Sequence, residues 1–279
     1  MLSLLISVLF AAAAVIYCQQ TGASQSWTVI SGIVSFLAAM ITTGLIMRRK
    51  INKVNADLQG ILMGGQKRIN KKIQAFQNKP NASPVLVQKL VEKEQTEFLE
   101  KALDFTKNLE PFCKWNLLMQ KQIDTLRMQF NYQLKRFSEV DQIIENTSLL
   151  KGIMVMDPMI AAMEMARMYK NGKTAELEEL FKKYSRKFTK KPNVAIIYAL
   201  YSWALVKNGE HDKAREVLYQ GKESTGNEIL AKNWEALSNN KLKKFSNAGF
   251  GDEWFALFLE NPPKVKQQFA RGGKRGGFR

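Results

Sequence analysis

The chain has 279 residues, a formal charge of +17 at neutral pH, two cysteines and one histidine. Two cysteines exclude a disulfide-stapled scaffold, and His211 has no Cys or His at ligand spacing beside it. The patterns G-x-x-x-x-G-K, G-x-S-x-G, H-E-x-x-H and C-x-x-C are also missing from the sequence, so no catalytic residue, metal ligand or cofactor site is expected.

Met1 to Met47 contains no Asp, Glu, Lys, Arg or His, and Arg48, Arg49 and Lys50 follow at once. Inside this stretch lie two apolar runs, Leu2 to Cys18 and Val29 to Met47, separated by the polar segment Gln19 to Thr28. A helix needs about 17–25 apolar residues to cross a bilayer core. The second run meets that length, and the hydroxyls of its Thr42 and Thr43 can bond back to helix carbonyls. The first run has no basic residue before it, as a signal peptide requires, and Tyr17 before Cys18 suits a lipoprotein site poorly. It is read as a transmembrane helix, with its cleavage left open. Residues 1–47 therefore predict a transmembrane hairpin. The basic residues after Met47 place both termini on the cytoplasmic side of the inner (plasma) membrane by the positive-inside rule.

Residues 48–79 hold nine Lys or Arg against Asp57 alone. Ile51, Val54, Leu58, Ile61 and Leu62 recur at helical spacing, as do Ile69, Ile73 and Phe76, with Gly64-Gly65 expected to break or kink the helix between them. The first reading is a basic amphipathic helix along an anionic bilayer, touching it through Arg48, Arg49, Lys50, Lys53, Lys67, Arg68, Lys71 and Lys72. A helical stalk or a coiled-coil seam is the alternative.

Residues 80–84 read as a linker. From 85 to 263 the apolar residues recur three or four apart and no strand pattern appears, which predicts an all-α fold. Val87, Leu90, Val91, Phe98, Leu99, Ala102 and Phe105 stripe one helix ending near Pro111, and helix pairs follow. Val140, Leu177 and Ala214 are spaced 37 apart, as are Ile143, Leu180, Val217 and Ile144, Phe181, Leu218. A further step reaches Trp254 and Phe255, consistent with a last, shorter unit. A fixed period of helix pairs means an α-solenoid. The cluster Met154 to Met168 is read as core filling, and the run Lys182 to Lys191 as a solvated helix end.

The third unit resembles the tetratricopeptide repeat family: Tyr198 stands at the large aromatic position, Ser202 at a small one, Leu205 at a large apolar one. Ala214 lies where the second helix packs close, with Leu218 and Gly221 on its face. The earlier units depart from the pattern, with Met165 and Leu177, or Met128 and Val140, at the small positions. The resemblance covers roughly residues 115–260 and implies a groove for a protein partner, with Asn131, Tyr169 and Lys207 facing it.

Residues 264–279 form an Arg/Gly tail with six basic residues and no acid. It is read as a flexible solubilising or lipid-touching segment, and Arg271, Lys274, Arg275 and Arg279 are its candidate contacts. The expectation is a membrane-anchored, non-enzymatic helical-repeat scaffold that docks another protein at the cytoplasmic face. The alternative is a membrane tether for RNA or ribosomes through the tail and the 48–79 segment.

Overall fold

A computed structural model describes residues 2–77, 84–146, 148 and 151–262. It is all-α, with no strand among the described residues, and it divides into two compact units, Met1–Val155 and Met156–Arg279. The expected linker at 80–83 and the tail from 264 lie outside the described residues, while Pro84 opens a helix.

The first unit begins with α1 (Leu2–Gln20) and α2 (Gln25–Gln77), both long and apolar enough to cross a membrane. Small side chains let them approach. A Cβ on Gly32 would lie 2.9 Å from Val15 Cγ2, Ser35 Oγ donates to the Phe10 carbonyl at 3.2 Å, and Cys18 Sγ lies 3.1 Å from Ser31 Oγ. Thr42 and Thr43 return their hydroxyls to Ala38 and Ala39 carbonyls at 2.8 and 2.7 Å, so neither presents an unmet polar group. The outward residues Leu5, Leu9, Ile33 and Val34 are exposed.

Unlike the expectation, α2 does not break at Gly64-Gly65 but runs as one helix of 53 residues, about 80 Å long. Gly65 is instead a contact point: a Cβ there would come 2.3 Å from Phe98 Cγ of α3 (Pro84–Phe105). The absent side chain admits the ring, and the burial gained outweighs the poor helix propensity of glycine. The helix α3 runs back along α2, with Glu94 meeting Arg68 and Lys72, and Phe98 meeting Gly65. A 3-10 segment (Thr106–Lys114), α4 (Met119–Gln133) and α5 (Phe137–Glu145) follow.

Leu58, Ile69, Phe98, Leu99, Ala102 and Phe130 form one core, with Ile61, Leu62 and Ile73 packed against it. Leu109, Met119 and Ile123 form another, with Ile51, Val54, Phe112 and Cys113 around it. The apolar stripe of 48–79 is thus covered by this chain's own helices rather than by lipid, which corrects the reading of an amphipathic helix laid along the bilayer. The helix α3, expected among the repeats, is the partner of α2. After α5 the chain ties back to α4: Gly152 N–H donates to Asp124 Oδ2 at 2.9 Å and Met154 N–H to Thr125 Oγ1 at 2.6 Å.

The second unit contains α6 (Pro158–Lys170), α7 (Thr174–Lys187), α8 (Ala195–Lys207), α9 (His211–Thr225), α10 (Glu228–Ser238) and the single turn α11 (Asp252–Phe255). Asp157 caps α6, accepting the Met159 and Ile160 N–H groups at 2.8 and 3.1 Å, and Pro158 follows in the first helical position. The helix α8 is central, buried without interruption from Ala195 to Leu205. Met163, Met165 and Met168 are core residues, whereas the basic residues of 182–191 are exposed.

The 37-residue register recurs in the backbone. Lys135, Gly172 and Gly209, spaced 37 apart, have φ of 59°, 71° and 82°. The next residues, Arg136, Lys173 and Glu210, donate their N–H to the carbonyls of Asn131, Met168 and Leu205 at 2.9, 3.0 and 2.9 Å. Val140, Leu177 and Ala214 are all buried just beyond these turns, and so are Ile144, Phe181 and Leu218. A fourth turn has the same form, with Asn240 at φ 54° and Lys241 N–H donating to the Ala236 carbonyl at 2.7 Å. After it no full second helix forms. Two 3-10 turns lead to α11, which buries Trp254 completely and leaves Phe255 half-buried.

Candidate functional site

The helices of the second unit bring Tyr169, at the end of α6, and Lys207, at the end of α8, onto one indole. Tyr169 meets the Trp203 ring edge-on at 5.0 Å, and the Lys207 ammonium stands 5.3 Å from that ring's centroid. Trp254 of α11 packs on the same ring at 5.8 Å. Glu260 closes the group: its two carboxylate oxygens each accept one indole N–H, from Trp203 and from Trp254, both at 2.8 Å. Lys207 Nζ lies 4.0 Å from Glu260 Oε1. Two preorganised donors and a cation therefore hold a single carboxylate. The chain's own segment supplies that acid, so the site is a clasp between α8 and the residues that follow α11. Beside it opens a cleft of about 630 Å³ lined by Lys170, Phe255, Phe258, Leu259 and Asn261 among others. Its lining sets Phe255, Phe258 and Leu259 beside the exposed Lys170.

Burial raises the pKa of the Tyr169 phenol, which remains a hydrogen-bond donor at neutral pH. A second acid of this unit, Glu164, is nearly enclosed and accepts the Tyr184 hydroxyl at 2.5 Å. Burial pushes the Glu164 carboxyl above its ordinary range, against the opposing pull of Tyr184, Lys183 and Lys187. Burial, then the Glu164 charge, push the Tyr184 phenol up in turn.

Of the three expected groove residues, the structure unites Tyr169 and Lys207 but not Asn131. Asn131 is buried in α4 of the other unit. The reason is register: 37-residue steps from it reach Met168 and Leu205, both core residues, so Asn131 occupies an inward position of its repeat. Trp203, Trp254 and Glu260 were not singled out as site residues from the sequence. Trp254 was marked only by the repeat step, and nothing local ties Glu260 to two indoles.

Along α2, Arg48, Arg49, Lys50 and Lys53 are exposed directly after the uncharged stretch. Lys67, Arg68, Lys71 and Lys72 begin 20 residues past Met47. That is about 30 Å along the helix axis, several times the Debye length of about 8 Å. Arg68 and Lys72 are also engaged with Glu94, at 3.5 Å for Arg68. The hydrogen bond from Lys72, then the Lys72 and Arg68 charges, hold the Glu94 carboxyl below its ordinary value. The expected lipid-contact set thus divides into a collar beside the uncharged helices and a distal group, two of whose members pair with α3. Arg271, Lys274, Arg275 and Arg279 lie outside the described residues. No family model, curated protein or solved structure matches this chain.

Proposed function

We propose that the protein is a membrane-anchored, non-enzymatic helical-repeat scaffold that docks a protein partner at the cytoplasmic face of the inner (plasma) membrane. The observation that carries this reading is the uncharged α1–α2 hairpin, whose second helix continues without a break into the packed core of the first unit. Arg48, Arg49, Lys50 and Lys53 directly after the apolar run favour a cytoplasmic position for everything beyond it, with two spans and both termini inside. The recurring turn at Lys135, Gly172 and Gly209 supports a tetratricopeptide-like repeat, an architecture that presents grooves to peptides. The docking surface is the cleft beside Trp203, where Lys170, Lys207 and Phe258 surround the Glu260 clasp. An RNA tether rests on the Arg/Gly tail, and the engagement of Arg68 and Lys72 by Glu94 speaks against a continuous phosphate-binding stripe.

The test combines anchoring, orientation and docking in intact cells. The protein should resist carbonate extraction, and a C-terminal reporter should be active only in the cytoplasm. A photo-crosslinker at Lys170 or Lys207 should yield one discrete protein adduct that a crosslinker at exposed Lys243 does not. Release by carbonate, an external reporter, or identical adducts at all positions would each sink the corresponding part. Adducts to RNA instead of protein would favour the tether.

A further inference from the structure

The geometry points to a second membrane contact in the first unit: the loop Lys114-Trp115-Asn116-Leu117-Leu118, seated in the headgroup layer beside the exit of α2. This rests on the proposed membrane crossing of α1 and α2.

Glu94 pairs with Arg68 and Lys72, and four residues on, Phe98 fills the space left by Gly65. Leu109, Phe112 and Cys113 belong to the core that packs Ile51 and Val54. Each step toward the end of the 3-10 segment thus moves back toward the uncharged part of α2. The helix α4 then turns away from it, because Met119 and Ile123 share the Ile51 core while Phe130 belongs to the Leu58 and Ile69 core. Residues 114–118 are therefore the turning point nearest the membrane run. Ile51 lies only four residues beyond Met47, about 6 Å along the helix.

What this loop displays fits that position. Leu117 and Leu118 are 45% and 49% exposed, two adjacent apolar side chains that the fold leaves about half uncovered. Asn116 Oδ1 accepts the Leu118 N–H at 2.9 Å, and Trp115 N–H donates to the Phe112 carbonyl at 2.9 Å, so the turn is internally fixed. Trp115 is half-buried and Lys114 exposed. Apolar side chains beside an indole and a lysine match the chemistry of the interfacial layer, where amphipathic residues bury about 5–10 Å deep. Arg48, Arg49 and Lys50 continue the basic collar around the same level. The occupant is the lipid headgroup layer itself.

The experiment uses the full chain reconstituted in phosphatidylcholine vesicles containing phosphatidylglycerol. Single-cysteine variants at Leu117, Leu118, Leu37 and Met63, in a Cys18→Ser/Cys113→Ser background, carry an environment-sensitive dye. Nitroxide quenchers are placed either on the lipid headgroup or deep in the acyl chain. Labels at 117 and 118 should lose most emission to the headgroup quencher, the label at 37 should lose most to the deep one, and the label at exposed Met63 should lose to neither. If 37 is quenched while 117 and 118 behave like 63, the loop contact is wrong and the anchor stands. If 37 is unquenched, the anchor fails and the loop contact with it. Labels at 117 and 118 shielded from aqueous iodide but untouched by lipid nitroxide mean that protein covers the loop, which also overturns the proposal. A cysteine-free readout is the native tryptophan emission against brominated lipid, where Trp115→Phe should remove a share of the quenchable signal. An unchanged share counts against the contact.

Discussion

Gly65 and the turn glycines use the absence of a side chain in different ways, and substitution separates them. At Gly65 the missing Cβ is space taken by Phe98, so Gly65→Ala should destabilise the first unit by about 1–3 kcal/mol despite improving helix propensity. In a Phe98→Ala background the same change should become neutral or favourable, a coupling that equilibrium unfolding in detergent would reveal. Gly172 and Gly209 have open space around a built Cβ but positive φ, so alanine there should cost about 1–2 kcal/mol with no rescuing partner. Glu164 adds a pH dependence. Its carboxyl ionises at a higher pH in the fold than the ordinary 4.5. The folded state therefore holds the extra proton across that window, and stability falls as pH rises through it. Glu164→Gln keeps an acceptor for Tyr184, so it should flatten this slope in thermal melts and leave the variant more stable than the parent at neutral pH. The sequence carried the presence of these residues but not their neighbours. Gly64-Gly65 read as a break because local propensity was visible and Phe98, far along the chain, was not.

Among the elements, helices were legible wherever apolar residues kept a helical spacing, and the second helices of the pairs bury two of the three sets that the 37-residue step marks, whereas Ile143 and Leu180 of the third set are only half-buried. The partner of α2 was not legible, since a stripe such as Ile51, Val54 and Leu58 is equally suited to lipid, to a second copy or to α3. The end of the repeat was hidden for a related reason. Asn240 preserves the turn, yet the following chain reaches Trp254 through two 3-10 turns and the single turn α11 rather than a full second helix. The Glu260 clasp fixes that last segment, and hydrogen bonds to a charged acceptor are worth about 1.5–3 kcal/mol each. Glu260→Ala should therefore raise amide exchange across 251–261 while leaving α6 to α9 protected, as hydrogen-exchange mass spectrometry can resolve.

For the whole molecule, the charge pattern was the most readable property: an uncharged start, a basic collar and a basic tail around a nearly balanced middle. Composition could not tell that the distal half of the 48–79 charge lies far along a rod, because a list of lysines has no length until the helix is known to be continuous. That continuity also sets an angular phase. Without a hinge between the proposed span and Ile51, the azimuth of the first unit about the membrane normal is locked to the side chains facing the lipid. Each residue carries about 100° of rotation. Deleting Lys50 alone should swing α3 and α4 to another side, whereas inserting seven residues nearly restores the bearing and raises the unit by about 10 Å. Spin-label distances between α4 and α1 would register the swing, and those between α4 and the bilayer surface the rise. The unbroken α2 thus acts as a shaft, and rotation of its apolar end is delivered to the helices packed beyond Ile51 as a turn of the same size.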